Sequence, residues 1–109
     1  MTRPIHRDEL ESMIDRQQEF ALVEVLSPAE FKEAHLPTAR NVPLGPRFAE
    51  RIQAEIPDKE ATVVVYCKDK DCQASPQAAN QMEELGYHNV YDYEEGKKDW
   101  HDAGLPMAS

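Results

Sequence analysis

Val63-Val64-Val65-Tyr66-Cys67-Lys68-Asp69-Lys70-Asp71-Cys72-Gln73-Ala74-Ser75-Pro76 is the stretch on which the reading of this chain turns. An apolar, β-branched run of this kind reads as a strand covered on both faces, and here it stops at a cysteine. A charged loop follows. Ser75-Pro76 then reads as an N-cap with proline at the first helical position. From Pro76 to Leu85 helix formers place Ala78, Ala79, Met82 and Leu85 on one face. Cys67 therefore stands at the carboxyl end of a buried strand whose loop feeds a helix start, the place where open α/β sheets carry their sites. Backbone N–H groups at a helix start or in a tight loop attract negative charge. A thiol held there ionises more readily, and the thiolate is the nucleophile. Cys67 is the candidate catalytic residue.

Working outward, the chain alternates strands and helices. Upstream, a brief strand is expected around Pro4-Ile5 and a helix over Arg7 to Gln18, with Leu10 and Ile14 four apart and acids in the first turn. Phe20 to Val25 is nearly continuous in apolar residues and reads as a parallel strand. Ser27-Pro28 repeats the cap-then-proline device ahead of a short helix, Ala29 to Ala34. His35 to Ala39 is a turn, and Asn41 to Leu44 a short extended piece in which Pro43 demands a strand end or edge. Arg47 to Ile56 reads as a helix, with Phe48, Ile52 and Ile56 at four-residue spacing. Downstream, Gly86 suits the position just past a helix, Asn89 to Tyr93 is a strand, and Glu95-Gly96 opens a last helix through Trp100. The alternation predicts an α/β fold with a mainly parallel sheet, helices on both faces, and one domain over residues 1–109.

The composition narrows the function classes. A net charge of −9, with the basic residues scattered, argues against nucleic acid or an anionic membrane as partner. No apolar stretch is long enough to span a bilayer, and the first residues carry no apolar signal region. The expected location is the cytoplasm, where two cysteines are reactive thiols more often than a structural bridge. No cofactor is implied. The two thiols lack the C-x2-C spacing and partners of a zinc site, so no metal is expected.

Four blocks of the chain, in order, resemble the single-domain rhodanese-like sulfurtransferases. Leu22-Val23-Glu24-Val25 followed by Ser27-Pro28-Ala29-Glu30-Phe31 is similar to the family's hydrophobic-acid-Val, S/T-P-x-E-[FY] element. Ala34-His35-Leu36-Pro37-Thr38-Ala39-Arg40-Asn41-Val42-Pro43 resembles G-H-I-P-G-A-x-N-I-P. The strand ending at Tyr66-Cys67, with its loop and helix, is the third block. The fourth runs from Leu85-Gly86-Tyr87 through Glu95-Gly96-Lys97-Lys98-Asp99-Trp100 to Ala103-Gly104-Leu105-Pro106, like L-G-[FY]-x-x-V … G-G-x-x-x-W-x-x-A-G-[LY]-P. The resemblance implies a five-stranded, mostly parallel sheet flanked by helices. It implies a sulfane sulfur carried as a persulfide on Cys67, taken from a small donor such as thiosulfate and passed to a thiol, a protein thiol or a cyanide-like acceptor. The substrate-binding loop would comprise Lys68, Asp69, Lys70, Asp71, Cys72 and Gln73, its N–H groups stabilising thiolate and persulfide as an oxyanion hole does.

The departures matter as much. Family loops place a basic residue five positions after the cysteine; here that position is Cys72, and the loop is about two residues longer. A wider loop resembles those of related phosphatases and arsenate reductases, but those need an arginine at the loop end, and none stands between Cys67 and Ser75. Leu26 stands where many thiosulfate-using relatives have arginine. Lys68 or Lys70 offers an anion a point charge, but each is flanked by Asp69 or Asp71, and the alternating charges read first as a solvated rim. Glu24 is expected to tie down loop N–H groups, and His35 to be a satisfied turn histidine; both are structural supports. His88 and His101 receive no role, and Trp100 and Tyr66 read as core. Cys72 has two readings: a half-buried packing residue, or a resolving thiol that attacks a Cys67 persulfide or forms a disulfide with Cys67. Three functions follow: a sulfurtransferase using Cys67, a non-catalytic binding or regulatory module on the same fold, and a thiol-redox protein using Cys67 and Cys72.

Overall fold

The computed structural model describes residues 2–109, and its centre is the strand quoted above. In chain order the elements are β1 (Arg3–Pro4), α1 (Arg7–Asp15), β2 (Ala21–Glu24), α2 (Pro28–Glu33), β3 (Arg40–Asn41), α3 (Phe48–Glu55), β4 (Thr62–Tyr66), α4 (Ala74–Glu84), β5 (Asn89–Tyr93) and α5 (Gly96–Asp102). The strands form one sheet in the order β1-β5-β4-β2-β3. Every strand pair is parallel, with Val65 opposite Val23 on one side and Asp92 on the other. Helices cover both faces, as expected.

Alternation along β4 divides the core. Val63 and Val65 point with Val23, Val90, Phe48, Ile52, Ala78, Ala79 and Met82 into the layer under α3 and α4. Val64 and Tyr66 point with Leu22, Leu10, Tyr93 and Trp100 into the layer under α1 and α5. Each fully buried large aliphatic or aromatic side chain here is worth about 1.5–3 kcal/mol relative to exposure, and Tyr66, Trp100, Leu10 and Ile52 are all such residues. Trp100 also donates its indole N–H to the Pro106 carbonyl at 2.9 Å, so it is core with a satisfied polar edge.

The two Ser-Pro steps behave differently. Ser27 caps α2, accepting from the Glu30 N–H while Glu30 reaches back to Ser27, a reciprocal capping box with Pro28 at the first position. Ser75 is not a cap, and Pro76 is not the first helical residue. α4 starts at Ala74 with Gln73 in the cap position, and Ser75 is buried within the first turn. Pro76 costs nothing there, because first-turn N–H groups have no intrahelical partner to lose. Element ends elsewhere shift by a few residues: α1 stops at Asp15 rather than Gln18, with Gln17 in the left-handed region at φ 54. Gly86, at φ 100, follows the α4 C-cap as expected.

Candidate active site

Cys67 lies at the carboxyl end of the central strand and is only 1% exposed. Its position is set by α5, which packs against the strand end. Lys97 N–H donates to the Cys67 carbonyl at 2.9 Å and Lys98 N–H to the Lys68 carbonyl at 2.8 Å. This approach requires Gly96. It sits at φ +70, and a Cβ there would fall 2.7 Å from the Cys67 oxygen and 2.8 Å from the Lys68 carbonyl carbon, a distance no side chain tolerates.

Beyond Lys68 the loop folds back on itself. The Asp69 carboxylate accepts the Asp71 N–H at 3.0 Å, the Asx-turn habit of a short acidic side chain. The Asp69 carbonyl accepts the Cys72 N–H at 3.1 Å. These two bonds return the chain over Cys67 and bring the Cys67 and Cys72 Cα atoms to 6.5 Å, where their sulfurs are joined as a disulfide. That separation is within the roughly 4.4–6.8 Å such a bridge spans. What meets Cys67 Sγ is thus the sulfur of half-buried Cys72. Lys68, Lys70, Asp71 and Gln73 are exposed and Asp69 half-buried; the loop residues gather into one rim around the pair.

Glu24 is buried, but its partners are side chains rather than loop N–H groups. Tyr66 donates to one oxygen at 2.8 Å and Lys97 Nζ to the other at 2.9 Å. Lys97 Nζ also donates to the Glu30 carbonyl at 3.1 Å. Burial and the adjacent Glu24 carboxylate push the Tyr66 phenol far above its usual range, so it stays a donor to Glu24. The Tyr66 oxygen in turn accepts the Leu36 N–H at 3.1 Å. The network joins the ends of β2 and β4 to α5 and to the turn after α2. His35 is spent on that turn: its Nδ1 pairs with the Phe31 carbonyl at 2.8 Å, and its ring stacks on Phe31.

Two hollows flank the loop. One is lined by Leu26, Glu30, Glu33, Ala34, Lys68 and Lys97, so the leucine in place of the familiar arginine faces the approach to the loop. The other is lined by Asp69, Lys70, Asp71, Glu95, Lys98, Asp99 and Asp102, an acidic groove with two lysines. Behind the loop, Asp92 of β5 is 3% exposed. Burial pushes its carboxyl from 3.8 up to about 6; Ser75 opposes that, while Glu94 and Glu95 add to it. Its Oδ1 meets no hydrogen-bond partner among the described residues. Among those residues no group of three or more His, Cys, Asp or Glu is placed to hold a metal ion, and no helix is long and apolar enough to cross a membrane.

Sequence reasoning assigned no part to Lys97, Gly96 or Asp92. Gly96 and Lys97 stood inside a motif block without a role, and the only available signal was a glycine opening a helix. Asp92 had a signal: an acid two residues from Val90 and flanked by Tyr91 and Tyr93, at an inward position of its strand.

The family profile described as the rhodanese-like domain matches residues 6–103. Over 68 residues the chain is 37% identical to the thiosulfate sulfurtransferase PspE of Escherichia coli, covering 62% of each. Over 89 residues it is 30% identical to an HTH-type transcriptional regulator of Mycobacterium tuberculosis, covering 82% of this chain and 38% of that one. The chain thus spans under two thirds of the length of these relatives. Among solved structures, a Bacillus halodurans protein superposes with a TM-score of 0.89 at 23% identity, over 99% of this chain and 77% of that one. That likeness speaks to the fold.

Proposed function

Since the chain belongs to the rhodanese-like domain family, we propose that it is a sulfurtransferase that carries a sulfane sulfur as a persulfide on Cys67 and passes it to a thiol. The observation that carries this reading is the placement of Cys67: a cysteine at the carboxyl end of the central strand, its carbonyl pinned by α5, its loop folded over it. The sulfurtransferase name of the Escherichia coli relative supports the same chemistry. In the reaction the Cys67 thiolate attacks the outer sulfur of the donor, the donor's remainder leaves with the bonding electrons, and an acceptor thiolate then takes the sulfane sulfur from Cys67.

The site favours a persulfide or polysulfide donor over thiosulfate. Leu26 offers no hydrogen bond to a dianion, and Lys97 is committed to Glu24 and the Glu30 carbonyl. Each charge-assisted contact withheld costs about 1.5–3 kcal/mol of anion binding. The paired cysteines give specific support to a second reading, a thiol-redox role shared by Cys67 and Cys72.

The test is intact mass after reduction, removal of reductant and mixing with an alkyl persulfide. The chain is expected to gain one sulfur, and Cys67→Ser is expected to gain none while keeping its melting transition. Sulfur retained by the folded Cys67→Ser protein refutes the assignment. Loss of two hydrogens with no sulfur gained moves the conclusion to redox chemistry, and no change at all to a binding module.

A further inference from the structure

We propose that the bridged protein is itself a sulfur-accepting form, in which hydrosulfide opens the Cys67–Cys72 disulfide at Cys72 and leaves its sulfur on the chain as a persulfide. The proposal rests on the transferase reading above, because it delivers sulfur to the same cysteine from a more reduced source.

The argument begins with access. The two sulfurs of the bridge are not equivalent: Cys67 is 1% exposed, whereas Cys72 is half-buried on the loop rim. Thiol–disulfide exchange needs the attacking sulfur to reach one sulfur of the bridge while the other leaves. Cys72 is therefore the sulfur attacked and Cys67 the one released. The rim also selects the attacker. Asp69 and Asp71, with Glu95, Asp99 and Asp102 across the groove, outnumber Lys70 and Lys98, and such a border disfavours thiols that carry several carboxylates. Among anionic attackers a small monoanion is repelled least.

The balance is complete without another reagent. Hydrosulfide forms an S–S bond to Cys72 Sγ as the Cys67–Cys72 bond breaks. The sulfide sulfur is oxidised to the sulfane level, Cys67 is reduced to the thiolate, and the products are Cys72–S–SH and Cys67–S−. An ordinary thiol attacking the same atom would leave only a mixed disulfide; sulfide alone leaves a transferable sulfur. The freed Cys67 thiolate lies beside the new persulfide, with Cα atoms 6.5 Å apart in the bridged form. Its attack on the outer sulfur moves that sulfur to Cys67 and returns Cys72 to the thiolate. Attack on the inner sulfur re-forms the bridge and expels hydrosulfide, which is the loading step run backwards. One geometry thus serves loading and discharge.

The experiment uses the full chain, oxidised to the bridged form, freed of oxidant and mixed without oxygen with one equivalent of sodium sulfide. At intervals it is alkylated and digested with trypsin, which cuts after Lys68 and Lys70 and so places the two cysteines on separate peptides. The expected result is one added sulfur per chain, first on the Cys72 peptide and later on the Cys67 peptide, with none added to the reduced protein. An unreacted bridge, a bridge opened with no sulfur retained, sulfur that appears on Cys67 without passing through Cys72, or equal uptake by the reduced protein each overturns the proposal. The reduced wild-type protein separates this from the underlying reading. It is expected to take no sulfur from sulfide yet to be charged on Cys67 by an alkyl persulfide. Failure of that charging counts against the transferase reading alone, whereas sulfide uptake by Cys72→Ser, which cannot form the bridge, counts against the bridge as acceptor.

Discussion

Asp92→Asn removes a buried charge while keeping the side chain's shape, and its effect on stability depends on pH in a way fixed by the structure. The Asp92 carboxyl is 3% exposed, has an oxygen without a partner among the described residues, and is raised from 3.8 to about 6. Between those values the native chain holds a proton that the unfolded chain has released. Stability therefore falls as pH rises through that window and stays lower above it. A displacement of about two pH units, at about 1.4 kcal/mol each, makes the loss about 3 kcal/mol. Asparagine is neutral throughout and escapes this loss. Urea unfolding is the assay. Near pH 4 the variant and the wild type are expected to agree within about 1 kcal/mol; at pH 8 the variant is expected to be more stable by about 2–3 kcal/mol. With a urea slope of about 1–3 kcal/mol/M, the midpoint moves up by about 0.7–3 M at pH 8. An effect of the same size at both pH values, or an asparagine variant weaker than wild type at pH 8, refutes the reasoning.

Other substitutions test the supports around the loop. Gly96→Ala puts a Cβ against the Cys67 carbonyl at positive φ; the left-handed conformation alone costs about 1–2 kcal/mol, so a clear drop in melting temperature and slower sulfur loading are expected together. Lys97→Met leaves the fully buried Glu24 carboxylate without its cation and is expected to cost about 3–5 kcal/mol. Adding Glu24→Gln should recover much of that, and a single variant melting like wild type would remove the ion pair from the account. Leu26→Arg places a guanidinium in the hollow beside Lys68. One charge-assisted contact of about 1.5–3 kcal/mol corresponds to about tenfold or more in thiosulfate turnover, and an unchanged rate would show that this hollow is not the donor's entry.

Much of this could be seen in the sequence because local and global preferences agree. The β4 apolar run ends as a strand at Tyr66, one residue before the cysteine that marked its stop, and the Asn89–Tyr93 strand keeps the bounds read from it. Ser27 caps because its helix is short and exposed, leaving the hydroxyl free for the Glu30 N–H. Ser75 carries the same dipeptide but lies in the core against β5, where its hydroxyl favours the Asp92 carboxylate. Packing overrode the cap signal. Lys97 stayed hidden for a different reason: it belongs to a charged run, Glu94-Glu95-Gly96-Lys97-Lys98-Asp99, that looks uniformly solvated. Its partner lies 73 positions away, and only the closed sheet brings them together. The position of Cys67 was legible from its strand. The fold of its loop was not, since two Asp69 hydrogen bonds decide where Cys72 returns.

The bridge joins residues only five apart, and that short separation decouples its chemistry from the rest of the molecule. A cross-link that closes so small a loop withholds little freedom from the unfolded chain, about 2 kcal/mol, against about 4.7 kcal/mol for a loop of 100 residues. The strand pairings and the Glu24–Lys97 pair are made by other atoms. On the proposed reading the sulfurs break and re-form their bond as a local hinge event while the domain around them keeps its shape. A bridge that closes a long loop is part of the frame; on this reading the short one is a clasp mounted on it.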